Sequence, residues 1–248
     1  MNIFLKRPFE LPPRLELLSA WIPPGAAFAD VGTDHAMLPV WLMLHQRVKS
    51  CIATDLRPEP LRRACRTAAR YGVQEISFRL CDGLSGIDPS EADTITIAGL
   101  GGETIAEILH RTAWTADGQH TFLLQPVTRA EYLRRYLSEH GFVILREGLA
   151  LERDTLYPAM EVTAGTMHLT PGQWYGGVKL LHDPLGNRCL IEQILRLQYA
   201  VAGLSRARDP QRRRQADELR DVVTELLQMR EQWRQVNAPQ TSLSRTVP

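Results

Sequence analysis

The chain has 248 residues, enough for one large domain or for a domain with an appendage. Hydrophobic residues make up 44% and charged residues 23%, which fits a globular chain with a buried core and excludes a disordered one. A formal net charge of +1 argues for no polyanionic partner by itself.

No apolar run is long enough to span a bilayer, and the first 14 residues lack the apolar stretch of a secretory signal. Cys51, Cys65, Cys81 and Cys189 form no Cys-x-x-Cys pair and read as free thiols in a reducing cytoplasm. Charge is unevenly spread: residues 186–248 hold 11 arginines against 7 acids, so a basic tail follows a slightly acidic body. Such a tail suits a polyanion, and equally a solvated helical face.

Leu15, Leu17, Leu18 and Trp21 predict a helix over residues 11–21, stopped by Pro23, Pro24 and Gly25. Residues 26–31 read as a buried strand closed by Gly32. A helix over 36–45 follows, with Pro39 tolerated in its first turn. A second strand covers 50–55, and a helix over 58–71 lies between Pro58 and Gly72. Strands at 76–80, 93–98 and 122–125 alternate with helices at 104–110 and 130–140, and two last strands fall at 142–145 and 159–162. This is the pattern of a doubly wound, mostly parallel α/β sheet with helices on both faces.

Beyond residue 166, clustered Gly and Pro predict a connector over 166–187. Apolar stripes then predict two helices, over 188–208 and from Asp209-Pro210 onward, paired as a helical hairpin. The expected organisation is a catalytic domain over 1–165, that connector, the hairpin over 188–237 and a flexible tail over 238–248.

Sheets of this kind bind ligands outside the carboxyl ends of their strands, where Asp30, Gly32, Asp55, Asp82, Gly83, Ala98, Gly99 and Gly101 fall. The dinucleotide fingerprint Gly-x-Gly-x-x-Gly is absent after the first strand, because positions 34 and 37 are Asp and Met. A pyrophosphate would meet the Asp34 carboxylate there, whereas a sulfonium cofactor carries no phosphate. Asp55 suits ribose hydroxyls, and Asp82-Gly83 suits an adenine amine, although helix capping and a plain Asp-Gly turn explain each alone. His35 is either an acid-base group or a packed histidine. Arg62, Arg63, Arg66 and Arg70 share a helix face that suits phosphate or plain solvent. No residues have metal-ligand spacing, and no metal is expected.

The stretches Leu11-Pro12-Pro13-Arg14-Leu15, Asp30-Val31-Gly32-Thr33-Asp34-His35-Ala36-Met37-Leu38-Pro39, Asp82-Gly83-Leu84, Ala98-Gly99-Leu100-Gly101-Gly102 and Leu124-Gln125-Pro126 resemble the bacterial tRNA (adenine22-N1)-methyltransferase family. The resemblance runs from about Leu11 to Val162, and the helical appendage matches that family's coiled-coil hairpin. It implies a seven-stranded Rossmann-like methyltransferase sheet, S-adenosylmethionine as donor, and N1 of an adenine in the D-arm region of tRNA as acceptor. The family usually has Gln-Pro-Asn where this chain has Gln125-Pro126-Val127, and commonly Glu where it has Pro158.

The site residues expected on this reading are Asp34 for catalysis and Asp30, Gly32, His35, Asp55, Asp82, Gly83, Ala98, Gly99 and Gly101 for the donor. Arg206, Arg208, Arg212, Arg213 and Arg214 are expected to meet RNA. A protein that binds donor and RNA without turnover, and a methyltransferase with another substrate, are the alternatives. The oligomeric state is left open between a monomer and a weak dimer.

Overall fold

The computed structural model describes residues 9–238, so residue 239 onward, most of the expected tail, lies outside the described residues. It divides into two compact units, Met1–Thr170 and Pro171–Pro248.

In the first unit, α1 (Pro13–Trp21) is followed by β1 (Ala26–Val31), α2 (Met37–Leu44), β2 (Val48–Asp55), α3 (Pro58–Tyr71) and β3 (Ile76–Leu80). Then come β4 (Thr94–Gly101), α4 (Gly102–His110), β5 (Thr121–Thr128), α5 (Ala130–Glu139), β6 (Phe142–Glu152) and β7 (Thr155–Ala164). One seven-stranded sheet results, in the order β3-β2-β1-β4-β5-β7-β6. Strands β1 to β5 pair in parallel, while β7 runs antiparallel to both β5 and β6. Every residue of β1 is buried, because helices cover both faces of a central parallel strand.

The last two strands are longer than their apolar cores predict. Gly148 and Pro158 look like breakers, yet both lie in the ladder, with Gly148 opposite Ala159 and Leu149 opposite Pro158. β7 pairs with β5 only from Met160 to Val162, so nothing in β5 needs the amide that Pro158 lacks. Arg153 and Asp154, both with positive φ (47° and 66°), close the hairpin in the two-residue turn that favours such angles. β4 likewise continues past the expected break at Gly99 to Gly101.

The second unit contains α6 (Pro171–Gly176), α7 (Gly186–Ser205) and α8 (Pro210–Val236). The expected connector is therefore partly helical. Gly172 and Gly176 let α6 lie close on α8: a Cβ on Gly176 would come within 2.8 Å of Leu226 and Met229. Leu190, Ile194 and Leu197 of α7 pack against Val222, Val223 and Leu226 of α8, which makes the two helices a hairpin. Asp209 caps α8 by accepting the Gln211 N–H at 2.9 Å.

Candidate active site

The strand order reverses between β1 and β4, which opens a crevice above their carboxyl ends. At the end of β1 the chain turns at Gly32, whose φ of 78° is left-handed. The N–H groups of Gly32 and Thr33 both donate to the Thr54 carbonyl at 2.9 Å, tying this turn to β2. Asp34 and Ala36 are also left-handed, with φ of 42° and 49°. Gly32 takes this conformation at no steric cost, but Asp34 and Ala36 store strain of the kind that gathers at functional sites.

Asp30 is buried in β1, and burial pushes its carboxyl up to about 6, with the negative charge of Asp55 adding to the effect. Asp55, buried at the end of β2, accepts the Arg57 N–H at 2.9 Å. Gly99, with φ of 77°, donates its N–H to Gln125 Oε1 at 3.2 Å. Gln125 is fully buried and also donates to the Pro126 carbonyl, so it braces the β4 turn rather than facing a ligand. Behind it Gly102 lets two backbones touch, since a Cβ there would stand 2.3 Å from the Arg129 carbonyl oxygen.

These elements enclose a cavity of about 200 Å³ lined by Arg14, Asp30, Gly32, Asp34, His35, Ala98 and Gly99, among others. Six of the residues expected at the site therefore meet in one place; Asp55 does not line the cavity, although its charge acts on Asp30. Gly101 does not line the cavity; it packs towards Thr128, whose Oγ1 would lie 3.3 Å from an added Cβ.

Asp34 is half exposed and is not free. Arg63 of α3 donates to its Oδ1 from Nε (3.2 Å) and Nη2 (2.5 Å), and His35 Nε2 stands 3.6 Å from its Oδ2. Asp82 and Gly83 line a separate cavity of about 330 Å³ beside α4. Both carboxylate oxygens of Asp82 are held by Arg111, at 3.0 and 3.3 Å, so its expected contact with an adenine amine requires that pair to open. Among the described residues no group of three or more His, Cys, Asp and Glu side chains comes together as a metal site.

Arg14 was not expected here. It stands in the first turn of α1, lines the cavity, and is held by Glu152 of β6 at 3.2 Å. It lies in Leu11-Pro12-Pro13-Arg14-Leu15, one of the stretches that carry the family resemblance, but neither that stretch nor the helix-starting Pro12-Pro13 points to its target.

In the second unit, the five arginines at the turn between α7 and α8 are exposed. Arg213 donates to the Ala207 and Arg208 carbonyls at 3.0 and 3.2 Å and so fastens the turn itself.

Residues 11–160 match the family model for the methyltransferase domain. The chain belongs to this family. The methyltransferase chain is 35% identical over 157 residues to the tRNA (adenine(22)-N(1))-methyltransferase of Bacillus subtilis, an alignment that spans 63% of this chain and 66% of that relative. The aligned part thus spans slightly less than two thirds of the relative's length. Solved structures match over more of the chain. The crystal structure of the B. subtilis m1A22 tRNA methyltransferase TrmK superposes with a TM-score of 0.81 at 28% identity, covering 89% of this chain and 99% of that one. TrmK of M. capricolum, in complex with S-adenosylhomocysteine, gives a TM-score of 0.76 at 25% identity, covering 91% of this chain and all of its own, 100%.

Proposed function

We propose that this chain transfers a methyl group from S-adenosylmethionine to N1 of an adenine in tRNA, adenine 22 being the position implied by its relatives. The observation that carries the reading is the cavity at the strand-order reversal, where Asp30, Gly32, Asp34 and Gly99 converge. Its chemistry fits this donor. Asp30, Asp34 and Asp55 would repel a dinucleotide's pyrophosphate but suit a cationic, phosphate-free ligand. Bound there, the donor supplies an electrophilic methyl group.

Asp55 would hold the ribose hydroxyls and Asp30 the ammonium of the methionine portion. The acceptor nitrogen has its own lone pair, so no strong base is needed before attack, and the residues act by positioning and by excluding water. Asp34 would accept a hydrogen bond from the exocyclic amine and stabilise the positive charge that methylation places on the base. In the second unit Arg206, Arg208, Arg212, Arg213 and Arg214 would meet RNA phosphates. The four cysteines are all free, which suits the cytoplasm this reading requires. Among the described residues no helix is long and apolar enough to cross a membrane.

Mass analysis of bulk tRNA from cells lacking the protein tests the whole reading. Loss of 1-methyladenosine is expected; an unchanged tRNA profile would turn the assignment to a donor-binding protein or to another substrate.

The pH dependence of donor binding tests Asp30. Folding raises its carboxyl from 3.8 to about 6, so the ionised form is disfavoured in the fold, and the neutral form is the stabilising one below the unfolded value. A ligand ammonium needs the ionised form. Donor affinity should therefore rise with pH towards 6 and level off above it, changing roughly tenfold per unit below 6. Asp30→Asn should weaken binding and flatten the curve; calorimetry that finds the same slope in both proteins removes Asp30 from the ammonium site.

The turn arginines are tested in the full chain. Replacing Arg206, Arg208, Arg212 and Arg214 by Gln should flatten the dependence of log affinity for tRNA on log salt by about 3, since each phosphate contact contributes roughly 0.7–0.9. Arg213 is kept because it fastens the turn. An unchanged salt slope would leave the hairpin another role.

A further inference from the structure

The first unit holds 17 lysines and arginines against 20 aspartates and glutamates. Its acids include Asp30 and Asp34, which line the cavity that the acceptor base must enter, so the unit as a whole offers a polyanion little attraction. One segment reverses this balance. Residues 57–71, which are α3 and the residue before it, carry five arginines and one glutamate, while the other 155 residues of the unit carry 12 basic residues against 19 acids. Other helices of the unit do not share the excess: α2, which packs on α3, carries no charged residue, α4 has Glu103 and Glu107 with no lysine or arginine, and α5 sets exposed Arg135 against Glu131 and Glu139.

The excess is also ordered in space. Pro60, Ala64 and Ala68 bury the inner face of α3. Arg62, Arg66 and Arg70 recur every four residues on the outer face, about 6 Å apart along the helix axis. Glu59, the helix's single acid, is shared by Arg62 at 3.5 Å and Arg66 at 3.4 Å, and both guanidinium side chains remain 68% and 71% exposed. One acid does not neutralise three cations. The row also connects to the site, because α3 starts three residues after Asp55, and Arg63 reaches from it to the cavity-lining Asp34. Between the arginines the outer face exposes only Cys65 and Ala69. It has no aromatic or branched apolar anchor, which a protein partner's interface core would need.

We propose that Arg62, Arg66 and Arg70 form a track for the phosphate backbone of the acceptor RNA, leading from the cavity mouth along α3. The track rests on the tRNA reading above and adds to it a binding surface on the catalytic unit itself, separate from the hairpin. It offsets the repulsion of the acidic cavity and holds the strand that enters it.

The test uses the full chain with Arg62→Gln, Arg66→Gln and Arg70→Gln together, substitutions that keep helix propensity. Across a salt series the log–log slope of tRNA affinity should flatten by about 2–3, and affinity at low salt should fall at least about tenfold. Donor affinity by calorimetry, melting temperature and the single-turnover rate at saturating tRNA should stay as in the wild type. The loss therefore appears in KM rather than kcat, which a folding defect would not reproduce. A triple Lys variant should keep the wild-type slope. If the Gln variant matches the wild type in affinity and slope while the wild type methylates tRNA, the track is wrong and the tRNA reading stands. A wild-type chain that neither binds nor methylates tRNA overturns both.

Discussion

Asp34→Ala should slow methyl transfer by about 10²–10³ in single-turnover assays at saturating donor and tRNA, the loss seen when one preorganised electrostatic group is removed. The structure sharpens this expectation. Arg63 occupies Oδ1, which leaves Oδ2 as the oxygen available to the acceptor base, with His35 3.6 Å away. Donor affinity should change little, because this carboxylate would serve the acceptor. Asp34→Asn should recover part of the rate. It keeps a hydrogen-bond acceptor without the charge, and Asn tolerates the left-handed φ of 42° that strains Ala.

The competing role is structural. A helix cap is the ordinary explanation for an Asp at this point, but α2 has no side-chain cap, and the Asp34 carboxylate is spent on α3 instead. As a half-exposed ion pair that contact is worth at most about 1 kcal/mol. A purely structural Asp34 therefore predicts a small drop in melting temperature and a normal rate. A folded Asp34→Ala protein turning over at the wild-type rate would end its catalytic assignment.

The strand ends were legible in the sequence because each is a local event. A short apolar run stopped by Gly32, or by Asp55 with Pro58 beyond it, reports a buried strand and its turn without any knowledge of neighbours. What the sequence withheld depends on pairs far apart in the chain. Asp34 meets Arg63, and Asp82 meets Arg111, each across 29 residues, so carboxylates that read as free for a ligand are already paired. Arg14 reaches Glu152 across 138 residues and joins the cavity, and the stretch that contains it, although it carries part of the family resemblance, names neither partner nor place. The extension of β6 and β7 was hidden for a related reason: Pro158 breaks a strand only where its missing N–H is needed by a neighbour, and Gly148 makes room for Trp21 of α1, which would stand 3.1 Å from an added Cβ.

Arg134 is the sharpest such case, and its loss should destabilise the first unit by about 3–5 kcal/mol. In sequence it sits beside Arg135 on a helix with Glu131 and Glu139, the pattern of a solvated, ion-paired face. Arg135 follows that pattern, pairing with Glu139 at 2.9 Å. Arg134 points inward instead: its side chain is 2% exposed and donates from Nε to Glu147 of β6 at 2.6 Å, with the Glu147 side chain at 0%. Two charges removed from water together are tolerable; one left behind is not. Arg134→Ala should therefore lower the urea midpoint sharply, while Arg134→Met with Glu147→Leu, which removes both charges, should recover most of the stability. The consequence reaches the cavity, because β6 also carries Glu152, which holds Arg14 at the rim. Loosening β6 should thus weaken donor or acceptor binding even at temperatures where the single variant stays folded. An Arg134→Ala protein within about 1 kcal/mol of the wild type would mean that water reaches Glu147 and that the pair is not sealed in the core.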